Sequence, residues 1–255
     1  MNRIFFKRLV LLFPLFCGFF LLKSQDIDVG EATMEVITVK EWNLLFCLNS
    51  SGFSIGYQQG KTPKYNHKHL WELEFSYNIH HKAVLQKPTL EGRAFHFGKL
   101  YDLFFLRGGY GYQRTLTHKP YYGGVQIRYF FSAGASICFG LPTYLEIIYI
   151  DGSIITIKTE RYDPDIHNIN SGILGAASFF DRFHKIAVRP GFYGKTGVNF
   201  DFSKDPLKMQ MIEVGVSIDM VFPFIKQMAN QNTKPAYLCA YVAYSFGKKK
   251  PRYDY

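Results

Sequence analysis

Trp71-Glu72-Leu73-Glu74-Phe75-Ser76-Tyr77-Asn78-Ile79 separates its side chains by parity: the apolar ones fall on odd positions and the polar ones on even positions. Only an extended strand sorts side chains this way, because successive residues point to opposite faces. The pattern recurs along the chain and predicts strands at about 42–49, 53–61, 71–79, 99–116, 125–139, 186–202, 212–222 and 237–246. In the fifth, Val125, Ile127, Tyr129, Phe131, Ala133, Ala135, Ile137 and Phe139 share one face. Gln126, Arg128, Ser132, Gly134, Ser136 and Cys138 share the other, with Phe130 out of place. Charges recur on the minority face. A soluble sandwich would also alternate, with its apolar face turned to the core. Strand length, a leader-like N-terminus and an aromatic content of 18% favour an outer-membrane barrel, apolar outside and polar inside. The expected fold is all-β, an up-and-down antiparallel transmembrane β-barrel of eight strands.

Ten strands is the alternative, and it turns on 144–160. Asp151-Gly152 is a good hairpin turn, but Ile147-Ile148-Tyr149-Ile150 breaks the alternation. An outer hairpin is therefore preferred to two more wall strands. Connection lengths give an independent check. With the N-terminus in the periplasm, short connections at 62–67, 117–123 and 203–208 face inward, and longer ones at 80–98, 141–185 and 223–235 face outward. A short helix over 176–184 would cap the outer mouth.

Arg3, Lys7 and Arg8 precede an apolar run over 9–22, the arrangement of a secretory leader. The expected organisation is a signal peptide at 1–24, a periplasmic lead at 25–39, the barrel at 40–247 and a basic periplasmic tail at 248–255. Cys17 raises a lipoprotein alternative, which bulky Phe16 disfavours. Removing the leader takes Arg3, Lys7, Arg8 and Lys23 away and lowers the formal charge from +10 to +6. Nucleic acid is excluded as a partner by export. Outer-membrane lipid, envelope proteins and surface polysaccharide are the partners expected for a monomeric barrel. The Lys248-Lys249-Lys250-Pro251-Arg252 run would either meet anionic lipid or polysaccharide or stay solvated beyond the last strand.

So narrow a barrel is filled by its own side chains. The inward charged set is Glu72, Glu74, Arg107, Arg128, Arg189, Lys195, Asp201, Glu213 and Asp219. Buried charges must pair, and the sixth and seventh strands suggest Arg189 with Asp219 and Lys195 with Glu213. A salt-bridge plug is preferred to an ion path or proton relay. Cys47, Cys138 and Cys239 share inward parity. A Cys47–Cys239 disulfide across the seam of first and last strands is one reading, and three small thiols filling a tight interior is the other.

Chemistry is sparsely signposted. His80, His81, His96, His167 and His184, with Ser171, Ser178 and Asp163, fall in outer loops without diagnostic spacing. His67-Lys68-His69 is a weak metal signal, and Asp163-Pro164-Asp165 lacks the glycine and distal glutamate of a calcium loop. No catalytic residue, metal or cofactor is expected. The preferred function is a structural or docking role in the cell envelope. A small barrel enzyme acting on lipid A or phospholipid at the outer rim is the second reading, and a narrow pore the third.

Several stretches bear a resemblance together: Phe97-Gly98-Lys99-Leu100-Tyr101, Arg107-Gly108-Gly109-Tyr110-Gly111, Lys119-Pro120 and Gly123-Gly124-Val125-Gln126-Ile127-Arg128-Tyr129. Gly140-Leu141-Pro142-Thr143-Tyr144 and Pro190-Gly191-Phe192-Tyr193-Gly194-Lys195 extend it. They resemble small outer-membrane β-barrel proteins of Bacteroidota-type bacteria over about residues 40–250. The resemblance implies the fold and the location, and it transfers no catalytic or binding residue.

Overall fold

The structure, a computed structural model, describes residues 38–64, 67–79, 84–86, 93–119, 124–151, 154–164, 166, 172–178, 185–229 and 235–251. In chain order its strands are β1 (Thr38–Asn49), β2 (Gly52–Lys64), β3 (His67–Asn78), β4 (Val84–Gln86), β5 (Phe95–Phe97), β6 (Tyr101–Thr117) and β7 (Gln126–Pro142). Then come β8 (Tyr144–Asp151), β9 (Ile154–Arg161), β10 (Ile173–Ala176), β11 (Ala187–Asp201), β12 (Lys208–Val221) and β13 (Ala236–Pro251). The barrel closes in the order β1-β13-β12-β11-β7-β6-β3-β2, every neighbour antiparallel. These are the eight wall strands expected from the alternation.

Parity sets the two faces as the sequence implied. Along β3 the even positions from Lys68 to Asn78 are buried, while Trp71, Leu73 and Phe75 are exposed. Leu48, Phe192 and Leu238 stand 74%, 66% and 73% exposed on the outside. A surface so apolar, wrapped around a polar interior, is the inverse of a soluble sandwich and fits a wall whose solvent is lipid. Aromatic pairs run along it, among them Phe46 on Phe246, Phe75 on Phe104 and Trp71 on Tyr110.

The segment read as either hairpin or wall is a hairpin. β8 and β9 pair from Tyr144↔Arg161 to Asp151↔Ile154, and β10 joins the other edge of β8. This small sheet has its own apolar centre of Phe95, Leu145, Ile147, Tyr162 and Ile173. That centre explains the unbroken run at 147–150: the strand is buried on one face near its base and leaves the barrel wall altogether.

Three boundaries differ from expectation. Ala176 ends β10 instead of starting a helix, and residues 179–184 lie outside the described residues. β1 begins at Thr38, inside the expected lead, whose remainder and the leader lie outside the described residues. The basic run is no free tail: Lys248, Lys249 and Lys250 continue β13, in register with Trp42, Glu41 and Lys40 of β1. A sequence cannot show that a strand goes on when its side chains turn basic, because the partner strand supplies the reason.

One substitution tests the lipid-facing wall. Leu73 is 54% exposed near the middle of β3, so Leu73→Arg should cost about 2–4 kcal/mol in a bilayer. Urea unfolding in phospholipid vesicles would measure it, and a cost within about 0.5 kcal/mol, usual for an exposed site in water, would place Leu73 outside the apolar layer.

Candidate functional site

Buried inward side chains lie in layers along the lumen. Arg107 of β6 donates from Nε and Nη2 to both carboxylate oxygens of Asp219 on β12, at 2.9 and 2.6 Å, and from Nη1 to Glu74 of β3 at 2.6 Å. Lys195 of β11 bridges Glu74 at 3.2 Å and Glu213 of β12 at 3.1 Å, with its ammonium 4.6 Å from the ring centre of Tyr241. Glu72 instead collects neutral donors: the hydroxyls of Tyr193 at 2.6 Å and Ser132 at 2.7 Å, and the Gln58 amide at 3.1 Å. Arg107–Asp219, Lys195–Glu74 and the Tyr193 and Ser132 bonds to Glu72 cross the lumen between strands that do not touch in the wall, whereas Arg107–Glu74, Lys195–Glu213 and Gln58–Glu72 join wall neighbours. These contacts suit buried charges, since charge-assisted hydrogen bonds offset part of the desolvation penalty.

Glycines make the crossings feasible. Glu72, Gly109, Gly134 and Tyr193 lie in one cross-strand row over β3, β6, β7 and β11. A Cβ on Gly109 would sit 2.2 Å from the Tyr193 hydroxyl, and one on Gly134 2.9 Å from the ring's Cε1 and 2.2 Å from the Gly108 carbonyl. Tyr193 thus lies flat across two strands to reach Glu72. A second row repeats the device: Phe130, Gly197, Gly215 and Tyr241. Phe130 and Tyr241 cover the glycines between them, and Tyr241 donates to Glu213 at 2.7 Å. Phe130, the apparent exception in β7, is fully buried with Leu45, Cys47, Leu70, Tyr241 and Ala243.

At the end with short connections lies a second charge cluster. Asp201 of β11 accepts from Lys119 at 3.1 Å, Arg128 at 3.0 Å and Lys249 at 2.8 Å, and from the Ser203 hydroxyl at 2.6 Å. Glu41 of β1 is bonded to Lys68 and lies 3.5 Å from Arg128. At the opposite end lies a buried apolar layer of Leu103, Phe105, Cys138, Val221 and Ile225. Above it the chain after β12 folds back, with Leu100 donating to the Gln227 carbonyl at 2.9 Å and Ala229 to that of Gly98 at 2.9 Å. Lys99, 1% exposed, is bonded to Asp102 there.

Eight of the nine inward charges named from parity, Glu72, Glu74, Arg107, Arg128, Lys195, Asp201, Glu213 and Asp219, are buried in this network. Arg189 is half-buried near the end with long connections, and Asp219 goes to Arg107 instead of Arg189. The register explains this: Asp219 stands opposite Tyr193, four residues from Arg189. Glu41, Lys68, Lys119 and Lys249 were not named. Glu41 and Lys68 lie just before Trp42 and Trp71, where the apolar alternation begins, and each keeps its strand's inward parity.

The seam disulfide is overturned. Cys47, Cys138 and Cys239 are free and buried. Cys47 stands opposite Ala243 across the seam, four positions from Cys239, an offset of about 13 Å at the rise of a strand. Cys239 Sγ meets the Ser51 hydroxyl at 2.6 Å instead. His67 and His69 open β3 and are bonded through Nδ1 to Tyr112 and Tyr110, with Lys68 between them turned inward. Among the described residues no three His, Cys, Asp or Glu side chains gather as metal ligands. His80, His81, His167, His184 and Ser171 lie outside the described residues, as does the side chain of His96 in β5. Asp163 and Ser178 are half-buried beside the outer sheet.

Two outcomes follow from this packing. Arg107→Leu strands Asp219, leaves Glu74 with Lys195 alone and should cost about 3–5 kcal/mol, whereas Arg107→Leu with Asp219→Leu should cost less than the single change. Urea unfolding of both would show it, and a double variant weaker than the single would refute the pairing. Gly134→Val should cost about 1–3 kcal/mol by overpacking, read as a lower unfolding midpoint, while Ser136→Val one step along should cost less.

No family model and no curated protein matches the sequence. Solved structures are similar at low scores. Neisserial surface protein A (NspA) has a TM-score of 0.39 at 11% identity, covering 83% of this chain and 96% of that one. Ail, the attachment invasion locus protein of Yersinia pestis, has 0.36 at 6%, covering 83% and 95%. The N-terminal β-barrel domain of Pseudomonas aeruginosa OprF has 0.31 at 9%, covering 82% and 96%. The fold assignment rests on the strand pairing itself.

Proposed function

We propose that the chain is a non-enzymatic outer-membrane barrel with a docking role in the cell envelope, its lumen plugged by its own charged side chains. The outer sheet carries this reading. It stands on its own apolar centre outside the wall, yet its far end presents Ile150 at 73% and Ile157 at 56% exposure. Ile148 pairs with Ile157, and Ile150 shares their face two residues on. Apolar side chains held out on an ordered sheet are the feature of a recognition surface. β9 is one edge of the sheet, and an edge strand can accept a further extended segment. The buried ion pairs within the lumen support the same reading, because a barrel whose interior is taken up by its own side chains acts through its surfaces.

The test compares the chain with its Ile150→Asp/Ile157→Asp variant, each affinity-purified from native outer membrane in mild detergent. A stoichiometric envelope component that co-elutes with the unsubstituted chain and is lost from the folded variant supports docking through this sheet. Identical co-eluting sets would overturn it. Steady conductance of the purified chain in planar bilayers would overturn the plug.

A further inference from the structure

The lysines inside the barrel are all engaged, but a second set outside is not. Lys61 of β2, Lys40 of β1 and Lys250 of β13 stand in one cross-strand row, and Lys248 of β13 faces Lys208 of β12. All five are exposed. Lys249, between two of them, turns inward to Asp201. Lys208 lies 3.7 Å from Asp205, and among the described residues Lys40, Lys61, Lys248 and Lys250 form no ion pair. Adjacent strands are about 4.8 Å apart, so the set spans an arc of about 15 Å. Like charges directly opposite one another destabilise a sheet unless a counter-charge lies over them.

The position of the arc says what that counter-charge is. The outward residues one step toward the middle of the barrel are Trp42, Gln59, Phe246 and Gln210, and Tyr57 and Tyr244 follow one step further, a mixed band of amide and aromatic side chains of the kind that sits at headgroup level. The lysines lie just beyond it, where their stems can follow apolar chains and their ammonium groups reach the phosphates. The arc covers half of the circumference. On the other half, at the same end, His67, His69, Tyr112, Tyr129 and Phe202 take outward positions with a single cation, Arg114, among the described strand residues. This is also the end with the short connections, which in outer-membrane barrels faces the periplasm and its phospholipid leaflet.

We infer that this arc is a binding surface for the phosphodiester headgroups of anionic phospholipid in the periplasmic leaflet. The inference rests on the outer-membrane reading above. It goes beyond it by giving the wall one side that gathers anionic lipid.

The sequence holds two tryptophans, and one stands on the arc: Trp42 is in register with Lys248. With Trp71→Phe in place, Trp42 fluorescence reports the lipid against the arc. The chain is folded into vesicles containing lipid brominated on its acyl chains, either phosphatidylglycerol or phosphatidylcholine. A preference for the anionic lipid of about fivefold per lysine in contact is expected at low salt. It should fall toward unity in 0.5 M salt, set about threefold above physiological strength, and in the Lys40→Gln/Lys248→Gln/Lys250→Gln variant, and it should persist with arginine at those positions. Equal quenching by both lipids, or a preference the glutamine variant retains, would overturn the inference while leaving the barrel in its bilayer. Absence of quenching by either lipid would overturn the membrane reading as well. If the glutamine variant does not fold, the salt titration of the unsubstituted arc decides.

Discussion

Arg107 is held from two sides, by Glu74 on β3 and Asp219 on β12, and the rest of the interior obeys the same requirement. A charge enclosed by eight strands is out of reach of bulk water, and only another charge or a ring of hydrogen-bond donors can replace that solvation. Glu41, Glu72, Glu74, Asp201, Glu213 and Asp219 are matched in number by Lys68, Arg107, Lys119, Arg128, Lys195 and Lys249. The matching is not always by direct contact. Glu72 is satisfied by Tyr193, Ser132 and Gln58 alone, while Asp201 has three cations of its own. Charge is therefore balanced over the whole column and unevenly along it. The acidic excess lies in the middle and the basic excess at the end with the short connections.

Side-chain size follows from that column. The wall must stay narrow for Arg107 and Lys195 to reach across, yet Tyr193 and Tyr241 must lie inside it. The two glycine rows resolve the conflict, because only residues without a Cβ let an aromatic ring rest on the strand backbone. Apolar layers around Leu45 and Phe130 and around Leu103 and Phe105 then flank the polar levels. The wall, the glycines and the charges form one packing solution.

Much of this was legible in the residues because parity alone decides the face of a strand. The faces of Glu72, Glu74, Arg107, Arg128, Lys195, Asp201, Glu213 and Asp219 could be read from their neighbours without knowing what stood across from them. Register could not. Whether Asp219 meets Arg189 or Arg107, and whether Cys47 meets Cys239 or Ala243, depends on how far one strand slides along the next. That offset is set by the closure of the whole barrel. Strand ends were misread for a related reason. Glu41, Lys68 and Lys249 look like flanking polar residues until a partner on another strand shows that they point inward. The outer sheet was legible as a hairpin from Asp151-Gly152, but its apolar surface required knowing which isoleucines its centre consumes.

The cluster around Asp201 and Glu41 draws on β1, β3, β7, β11 and β13, the first and last strands among them. No hairpin on its own, and no open sheet lacking the final strand, would hold these charges in compensated form. A half-built wall moving through lipid one hairpin at a time would expose uncompensated carboxylates and ammonium groups to the hydrocarbon. Insertion is therefore expected to be concerted with the arrival of β13, so that the C-terminal strand completes an electrostatic circuit at the same time as it seals the edge.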